Sequence, residues 1–379
     1  MAVRIAIPNE TSGERRVAVT PQVVRRLLGS GHHVVVESGT GDAVGFTDGE
    51  YAEAGAEVTS DLYQGADLVL VVGPPMPDRA ARIPEGAALV GFLDPFAATE
   101  LIGTLVARRV TAFAMEAVPR TTLAQAMDAQ SSQASAAGYQ AVLLAATMSP
   151  RIFPMLITAA GTIPPVKLLV LGAGVAGLQA IATARRLGAV VSAYDIRPQV
   201  REQIESLGAR FIAAPVDESA ASASGYAKEL ADETQRRQQA ALTESVAAAD
   251  VIITTAQVPG GPAPMLISRE MVEKMRPGSV IVDVAAATGG NCELTRAGGD
   301  IVHRGVRVMG PTDLAGSVAI DASEMYARNL DAFVGHISDG DGNLSFDFDD
   351  VIVSDACITH NGRVMHPVTR RALNLEAPE

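Results

Sequence analysis

The chain has 379 residues, which suits two domains at roughly 100–200 residues per domain. With 48% hydrophobic residues, 19% charged residues and 35 glycines, it reads as an α/β protein with buried parallel strands, and extensive disorder is excluded. A formal net charge of −13 excludes a role that rests on attraction to a phosphate backbone, so nucleic acid is not expected as a partner.

The opening MAVRIAIPNE reads as a strand and lacks the basic, apolar and small-residue regions of a signal peptide, so the chain is expected to stay in the cytoplasm. Short apolar runs bounded by Gly, Pro or Asp recur at Val3 to Ile7, His33 to Val36, Leu68 to Val72, Ala88 to Leu93 and Val110 to Met115. Helical stretches such as Pro21 to Leu28 and Thr99 to Arg108 separate them, and this βαβα rhythm implies a mostly parallel, Rossmann-like sheet without a phosphate loop. Residues 127–148, rich in Ala, Leu and Gln and free of Pro, predict a long helix connecting two domains. The most apolar region, Tyr139 to Val170, is broken by Pro150, Pro154, Pro164 and Pro165 and carries Arg151, so no transmembrane helix is predicted.

A second parallel series follows at Lys167 to Leu171, Val190 to Tyr194, Val251 to Thr254 and Val280 to Val284. It is interrupted by the small, polar and charged stretch Ala213 to Arg237, either a mobile loop or a linker, in which Tyr226 after Gly225 is the residue most able to contact a ligand. Asp321 to Val334 predicts an amphipathic helix that returns the C-terminal tail to the first domain, and Leu344 to Val353 reads as a strand. The expected organisation is α/β, two Rossmann-like domains with mostly parallel sheets joined by long helices around an interdomain cleft. Residues 1–128 and 320–379 form a discontinuous first domain, and 129–319 the nucleotide-binding one, with a mobile loop at about 213–237.

Lys167 to Asp195, KLLVLGAGVAGLQAIATARRLGAVVSAYD, carries the dinucleotide fingerprint in its required context of strand, glycine turn, helix and second strand. Gly172 permits the tight turn, Gly174 lets the backbone approach a pyrophosphate, and Gly177 lets the helix pack close to the sheet. The helix beginning Val175-Ala176-Gly177 points its free N–H groups and positive dipole end at that anion. Asp195, followed by Ile196, ends the second strand where an acid accepts from the adenosine ribose and repels a 2′-phosphate, which favours NAD over NADP. Arg197 could hold a 2′-phosphate, although a solvated charge is the simpler reading.

The stretch PRTTLAQAMDAQSSQ concentrates Arg120, Gln125, Asp128, Ser131 and Ser132 at the domain junction, either as a ligand site or as a polar linker ending in a helix N-terminus. In GERRVAVTP, Arg15 and Arg16 follow the first strand and face either the cleft or solvent. Cys292 and Cys357 stand far apart with no metal-ligand spacing, so neither a disulfide framework nor a metal site is expected. His32, His33, His303, His336, His360 and His366 fall in no arrangement that suggests a proton shuttle.

Together ERRVAVTP, PRTTLAQAMDAQSSQ, AAGTIPPVKLLVLGAGVAGLQAIATARRLGA, GYAKE, ITTAQVPGGPAPMLI and PGSVIVDVAAATGGNCE are far more specific than a lone glycine motif. Over almost its whole length the sequence resembles the NAD(H)-binding components of proton-translocating NAD(P) transhydrogenases, in the alanine dehydrogenase/transhydrogenase family. The resemblance implies that Arg120, Gln125 and Asp128 act together near the nicotinamide and that Ser131 contacts the nicotinamide or its ribose. It implies that Gly225 and Tyr226 belong to a loop that closes on bound nucleotide, and it places Thr255 and Ala256, in the ITTAQ stretch, at the cofactor.

The activity implied is direct hydride transfer between NAD(H) on this chain and NADP(H) on a partner subunit, with protons moved by a membrane-spanning partner. The Re/Si-specific, proton-translocating type is favoured over the Si-specific one. A homodimer, a peripheral place on the inner face of the cell membrane through partners, and a split form with the NAD(H) component as its own polypeptide are also implied.

Two other readings have distinct signatures. An alanine dehydrogenase needs groups to move protons and hold a carboxylate. In that pattern a Lys, a His and an Asp are expected where this chain has Gly73, Asp94 and Ala287, and only Arg16 remains. A non-catalytic NADH sensor would share the fingerprint but would have no use for Arg120, Gln125 and Asp128 beside the reacting ring.

Overall fold

The computed structural model describes residues 2–10, 13–212, 240–258, 261–373 and 375, so the stretch 213–237, with Gly225 and Tyr226, lies outside the described residues. Two compact units emerge: Met1–Gln133 with Ala315–Glu379, and Ala134–Leu314. The strands run β1 (Arg4–Ile7), β2 (His33–Glu37), β3 (Glu57–Thr59), β4 (Leu68–Leu70), β5 (Ala88–Gly91) and β6 (Thr111–Ala114) in the first unit. The second unit holds β7 (Leu156–Thr158), β8 (Gly161–Ile163), β9 (Lys167–Leu171), β10 (Val190–Tyr194), β11 (Arg210–Ile212), β12 (Val251–Thr254), β13 (Val280–Asp283), β14 (Asp300–His303) and β15 (Val306–Met309). The chain then returns to the first unit with β16 (Cys357–His360) and β17 (Arg363–Val364).

In the first unit the sheet order is β17-β16-β6-β5-β4-β1-β2-β3. Strands β1 to β6 pair in parallel, and β16 adds to β6 antiparallel. The second sheet has the order β11-β10-β9-β12-β13-β15-β14 and is parallel except for its β14–β15 edge. Each sheet reverses direction once, between β1 and β4 in one and between β9 and β12 in the other, and such a switch point is where open α/β sheets bind ligands. The inner strands are apolar on both faces because helices cover both, and Leu68–Leu70, Val251–Thr254 and Val280–Asp283 are buried throughout.

Local sequence explains the main helices. Thr20 accepts from the Val23 amide while Pro21 occupies the first helical position, so the helix Pro21–Gly29 starts where its missing N–H is least costly. The helix Ala319–His336 buries Ala322, Tyr326, Leu330, Phe333 and Val334, a stripe at helical spacing, and sets Phe333 edge-on to Phe113 at 5.5 Å. No helix among the described residues is long and apolar enough to cross a membrane.

One strand expectation is overturned. Leu344 to Val353 forms no strand: Leu344 makes a single bridge with Ser338, and Asp350 then caps the helix Val351–Ala356 by accepting from Ile352 and Val353. Asp347, Asp349 and Asp350 favour turns and helix starts, and the tail pairs with β6 only from Cys357 onward. The short strands β3, β11 and β14 escape a periodicity reading because each is three or four residues long and begins on a charge, as edge strands often do.

The first unit's switch point contains no glycine turn. There the Glu10 carboxylate accepts from Val72 N at 2.7 Å and Gly73 N at 3.2 Å, the position a phosphate would need. Next to it Glu116 accepts from Leu93 N at 2.9 Å and Asp94 N at 2.7 Å. The Tyr326 hydroxyl donates to Val71 O at 2.8 Å and feels both carboxyl groups. Burial pushes both Glu10 and Glu116 up to about 7, against the pull of the amides they accept from.

A carboxyl raised in this way stabilises the fold fully below its ordinary value of 4.5, and that contribution is lost as pH rises through about 7. The Tm of Glu10→Gln relative to the unaltered chain should therefore climb as pH goes from about 5 to about 8. A difference that stays level across that window would mean that Glu10 is ionised throughout.

Candidate functional site

The second unit's switch point carries the glycine turn. Gly172 leaves β9 with φ +96, and its N–H donates to Tyr194 O at 2.9 Å; a Cβ there would lie 2.9 Å from Thr255 Oγ1. Gly177 is tighter still, since its Cβ would stand 1.9 Å from the Gly172 carbonyl oxygen. At Gly174 a Cβ would meet no protein atom, so the backbone there borders open space. Gly174 precedes the helix Val175–Arg186, which has no side-chain cap and no acid in its first turn, and Gly174 and Val175 are exposed. These features leave the first-turn N–H groups to an external anion, with the helix dipole in support.

Asp195 is buried at the end of β10 and binds back to that turn, Oδ2 accepting from Ala173 N at 2.7 Å. Arg197 occupies the rest of the carboxylate, through its backbone N–H at 2.8 Å and its guanidinium Nε and Nη2 at 3.0 Å each. The simpler reading of Arg197 as a solvated charge is thus corrected. Its side chain is 55% exposed, but its head is committed to Asp195 because that carboxylate needs counter-charge as it leaves water. Burial pushes Asp195 up, and the Arg197 and backbone bonds overcome this and hold it below its ordinary range. It stays ionised near neutrality. A ribose hydroxyl can reach this carboxylate only by displacing a present donor, and the exposed guanidinium is the one able to move. Ile196 projects into solvent, 77% exposed.

Across the switch point, Thr255 Oγ1 donates to Gly172 O at 2.9 Å, locking the loop after β12 to the glycine turn. Both backbone groups of Ala256 are held by the side-chain amide of Asn291, with Ala256 N to Oδ1 at 3.0 Å and Nδ2 to Ala256 O at 2.8 Å. Thr255 and Ala256 are therefore at the turn, yet the Thr255 hydroxyl proton and the Ala256 N–H are spent inside the protein. Sequence reasoning missed Asn291 and the buried Asp283 that supports it. The only available signals were an acid ending an apolar strand and an Asn after two glycines, and both are common in turns.

In the first unit the junction loop is pinned from within. Asp128 accepts from Ser131 N at 2.8 Å and Ser131 Oγ at 2.6 Å, which makes it the N-terminal cap of the helix Ala129–Met148. Ser132 donates to Asn329 Oδ1, and Asn329 Nδ2 donates to Ala126 O. Arg120 is exposed and touches Gln130 Oε1 at 3.3 Å, while Gln125 is exposed on the turn Gln125–Met127. The helix-start reading thus describes Asp128 as the loop stands, with Arg120 and Gln125 left at the surface of the unit. Arg15 is exposed, whereas Arg16 is largely buried and grips Glu14 with two nitrogens at 2.8 and 2.7 Å and Gln133 Oε1 at 2.7 Å. Among the described residues no group of His, Cys, Asp and Glu converges as a metal site.

Fold and turn define an α/β protein with a dinucleotide-binding second unit. Residues 6–137 match the family model described as alanine dehydrogenase/PNT, N-terminal domain, and residues 141–367 match alanine dehydrogenase/PNT, C-terminal domain. The chain belongs to the alanine dehydrogenase/PNT family. It is 45% identical over 377 residues to the first of the separate polypeptides of NAD(P) transhydrogenase subunit alpha from Rhodospirillum rubrum, covering 96% of this chain and 98% of the relative. The crystal structure of transhydrogenase from Sinorhizobium meliloti superposes with a TM-score of 0.88 at 44% identity, covering 95% of this chain and 99% of that one. A structure of L-alanine dehydrogenase superposes with a TM-score of 0.83 at 26% identity, covering 98% and 99%.

Replacing Asp195 by Ser should weaken NADH binding about 10- to 100-fold, the loss of a charged hydrogen-bond acceptor. It should also tighten NADPH binding, because Arg197 is released toward the 2′-phosphate position. Reduced-nucleotide fluorescence reads both affinities, and equal weakening of the two would mean that Asp195 only supports the turn.

Proposed function

We propose that this chain is the NAD(H)-binding component of a proton-translocating NAD(P) transhydrogenase of the Re/Si-specific type. Hydride passes between NAD(H) on this chain and NADP(H) on a partner subunit, and protons are translocated by a membrane-spanning partner. The observation that carries the reading is the near-complete match to a transhydrogenase alpha subunit, joined to an ionised Asp195 beside an uncapped glycine turn.

In this reading the backbone from Gly172 through Gly174, Val175, Ala176 and Gly177 receives the pyrophosphate. Asp195 and Ile196 meet the adenosine, and Thr255 and Ala256 shape the turn. Gly225 and Tyr226 close over the nucleotide. Arg120, Gln125 and Asp128 act at the nicotinamide. Ser131 already donates its proton to Asp128, so its role toward the nicotinamide or ribose is that of an acceptor. The nicotinamide supplies the hydride, and no proton has to move at the reacting carbon. The chain therefore has to orient the ring and exclude water, which are established ways to lower a barrier.

The departures from amino-acid chemistry support the same reading. Gly73 and Ala287 offer no proton-transfer side chain, and the Arg16 guanidinium is taken up by Glu14 and Gln133. The hairpin β7–β8 supports self-association into a homodimer. All six of its residues are exposed, Ile157 by 72%, and a two-stranded hairpin is marginal alone in water. The component would sit on the cytoplasmic face of the membrane through its partners and use no metal.

The test combines NADH and NADPH binding with hydride exchange after an NADP-binding partner is added, and with alanine and pyruvate assayed alongside. Tight NADH binding with partner-dependent exchange is the expected result. Alanine turnover by the chain alone would overturn it, and binding without exchange would favour a sensor. Gln125→Asn should slow hydride transfer about 10- to 100-fold while NADH affinity stays within about threefold, the pattern of a group that positions the transition state. Equal losses in rate and affinity would remove Gln125 from that role.

A further inference from the structure

Asn291 is fully buried, and its amide is used on both sides. Oδ1 accepts from Ala256 N at 3.0 Å, and Nδ2 donates to Ala256 O and to Pro264 O at 2.8 Å each. The backbone of Asn291 adds to the same bracket, its carbonyl accepting from Leu266 and Ile267. A primary amide paired in this way does to Ala256 what a neighbouring strand does to a ladder residue: one acceptor meets the N–H and one donor meets the carbonyl. Swapping the amide end for end would set an NH2 against an N–H, so its orientation is fixed by chemistry.

Behind Asn291 stands Asp283, fully buried at the end of β13. Its oxygens accept from Asn291 N at 2.7 Å, Cys292 N at 3.1 Å, Ala285 N at 3.1 Å, Thr295 Oγ1 at 2.6 Å and Thr254 Oγ1 at 2.8 Å. The two successive threonines that end β12 and open its loop thus have opposite tasks: Thr254 binds Asp283, and Thr255 binds the Gly172 carbonyl. A continuous path of hydrogen bonds runs from Asp283 through Asn291 to Ala256, and through the adjoining Thr255 to the glycine turn.

We propose that Asn291 is a positioning residue for the dinucleotide site, its side-chain amide standing in for a strand partner that holds the loop after β12 against the glycine turn. This rests on the nucleotide-binding reading of that turn. No direct contact of Asn291 with nucleotide is involved. The residue acts through Ala256 and Thr255, and it fixes where the exposed Gln257 and Val258 emerge. Val258 is 52% exposed, so what the brace presents is accessible.

The isosteric variant Asn291→Asp separates this role from general stability. Its first oxygen can still accept from Ala256, but the second, when ionised, would face the carbonyl oxygens of Ala256 and Pro264 with Asp283 behind it. Protonation restores one donor. The other ionisable groups on that loop are Glu293, exposed and bonded to Arg269 N, and Cys292, whose thiol is pushed up to about 11 by burial and stays neutral.

NADH affinity of Asn291→Asp should be about tenfold or more weaker than that of the unaltered chain near pH 8, as for a brace left facing unpaired carbonyls. It should recover most of that loss near pH 6, with circular dichroism unchanged between the two. Asn291→Ala, which cannot regain a donor, should show a loss that acid does not repair. Unaltered NADH binding in a folded Asn291→Ala or Asn291→Asp variant, or a loss in Asn291→Asp that is the same at both pH values, would overturn the positioning role. Failure of the unaltered chain to bind NADH would instead remove the nucleotide reading beneath it.

Discussion

A parallel strand leaves its sheet with backbone N–H groups that no neighbouring strand accepts, and the loops beyond it need partners for them. In this chain buried carboxylates supply those partners at the carboxyl edge of both sheets. Glu10 and Glu116 hold the turns after β4 and β5, Asp195 ties the end of β10 to the glycine turn, and Asp283 gathers four groups of the loop after β13 together with the Thr254 hydroxyl. An anion accepts such bonds more strongly than a neutral group, and each one replaces a ligand or water that the loop would otherwise need.

The two sheets use this device to opposite ends. In the first, Glu10 fills the switch point with the protein's own anion, and the region is a packed support for the helix Ala319–His336. In the second, the carboxylate is set one strand aside, at Asp195, and the switch point itself is left to glycines and an uncapped helix. The same βαβ frame is therefore closed in one unit and open in the other because of where a single acidic side chain stands. That difference suits a protein whose chemistry is the placing of a nicotinamide, since a dinucleotide needs one open switch point.

Arg197 and Asp128 show how the resting arrangement relates to the working one. Each sits where a nucleotide group is proposed to bind, and each is satisfied by a near neighbour in the chain, Asp195 in one case and Ser131 in the other. Such local pairs keep a charged site from standing unpartnered before the ligand arrives. They can be exchanged because their partners are close to solvent.

Much of the fold was legible in the sequence because its signals are local. The apolar runs gave the inner strands, Thr20-Pro21 gave a helix start, and the spacing of Gly172, Gly174, Gly177 and Asp195 gave the dinucleotide turn with its sense of cofactor. Each depends on backbone conformation or periodicity within a few tens of residues. What only the tertiary structure decided is which polar groups meet. Glu10 reaching Val72 and Gly73, Arg16 gripping Gln133, Asn291 bracketing Ala256, and β16 adding to β6 in place of a strand at Leu344 to Val353 all join distant parts of the chain. A polar side chain in a sequence declares that it needs a partner, but packing selects the partner, and no period or motif at its own position carries that choice.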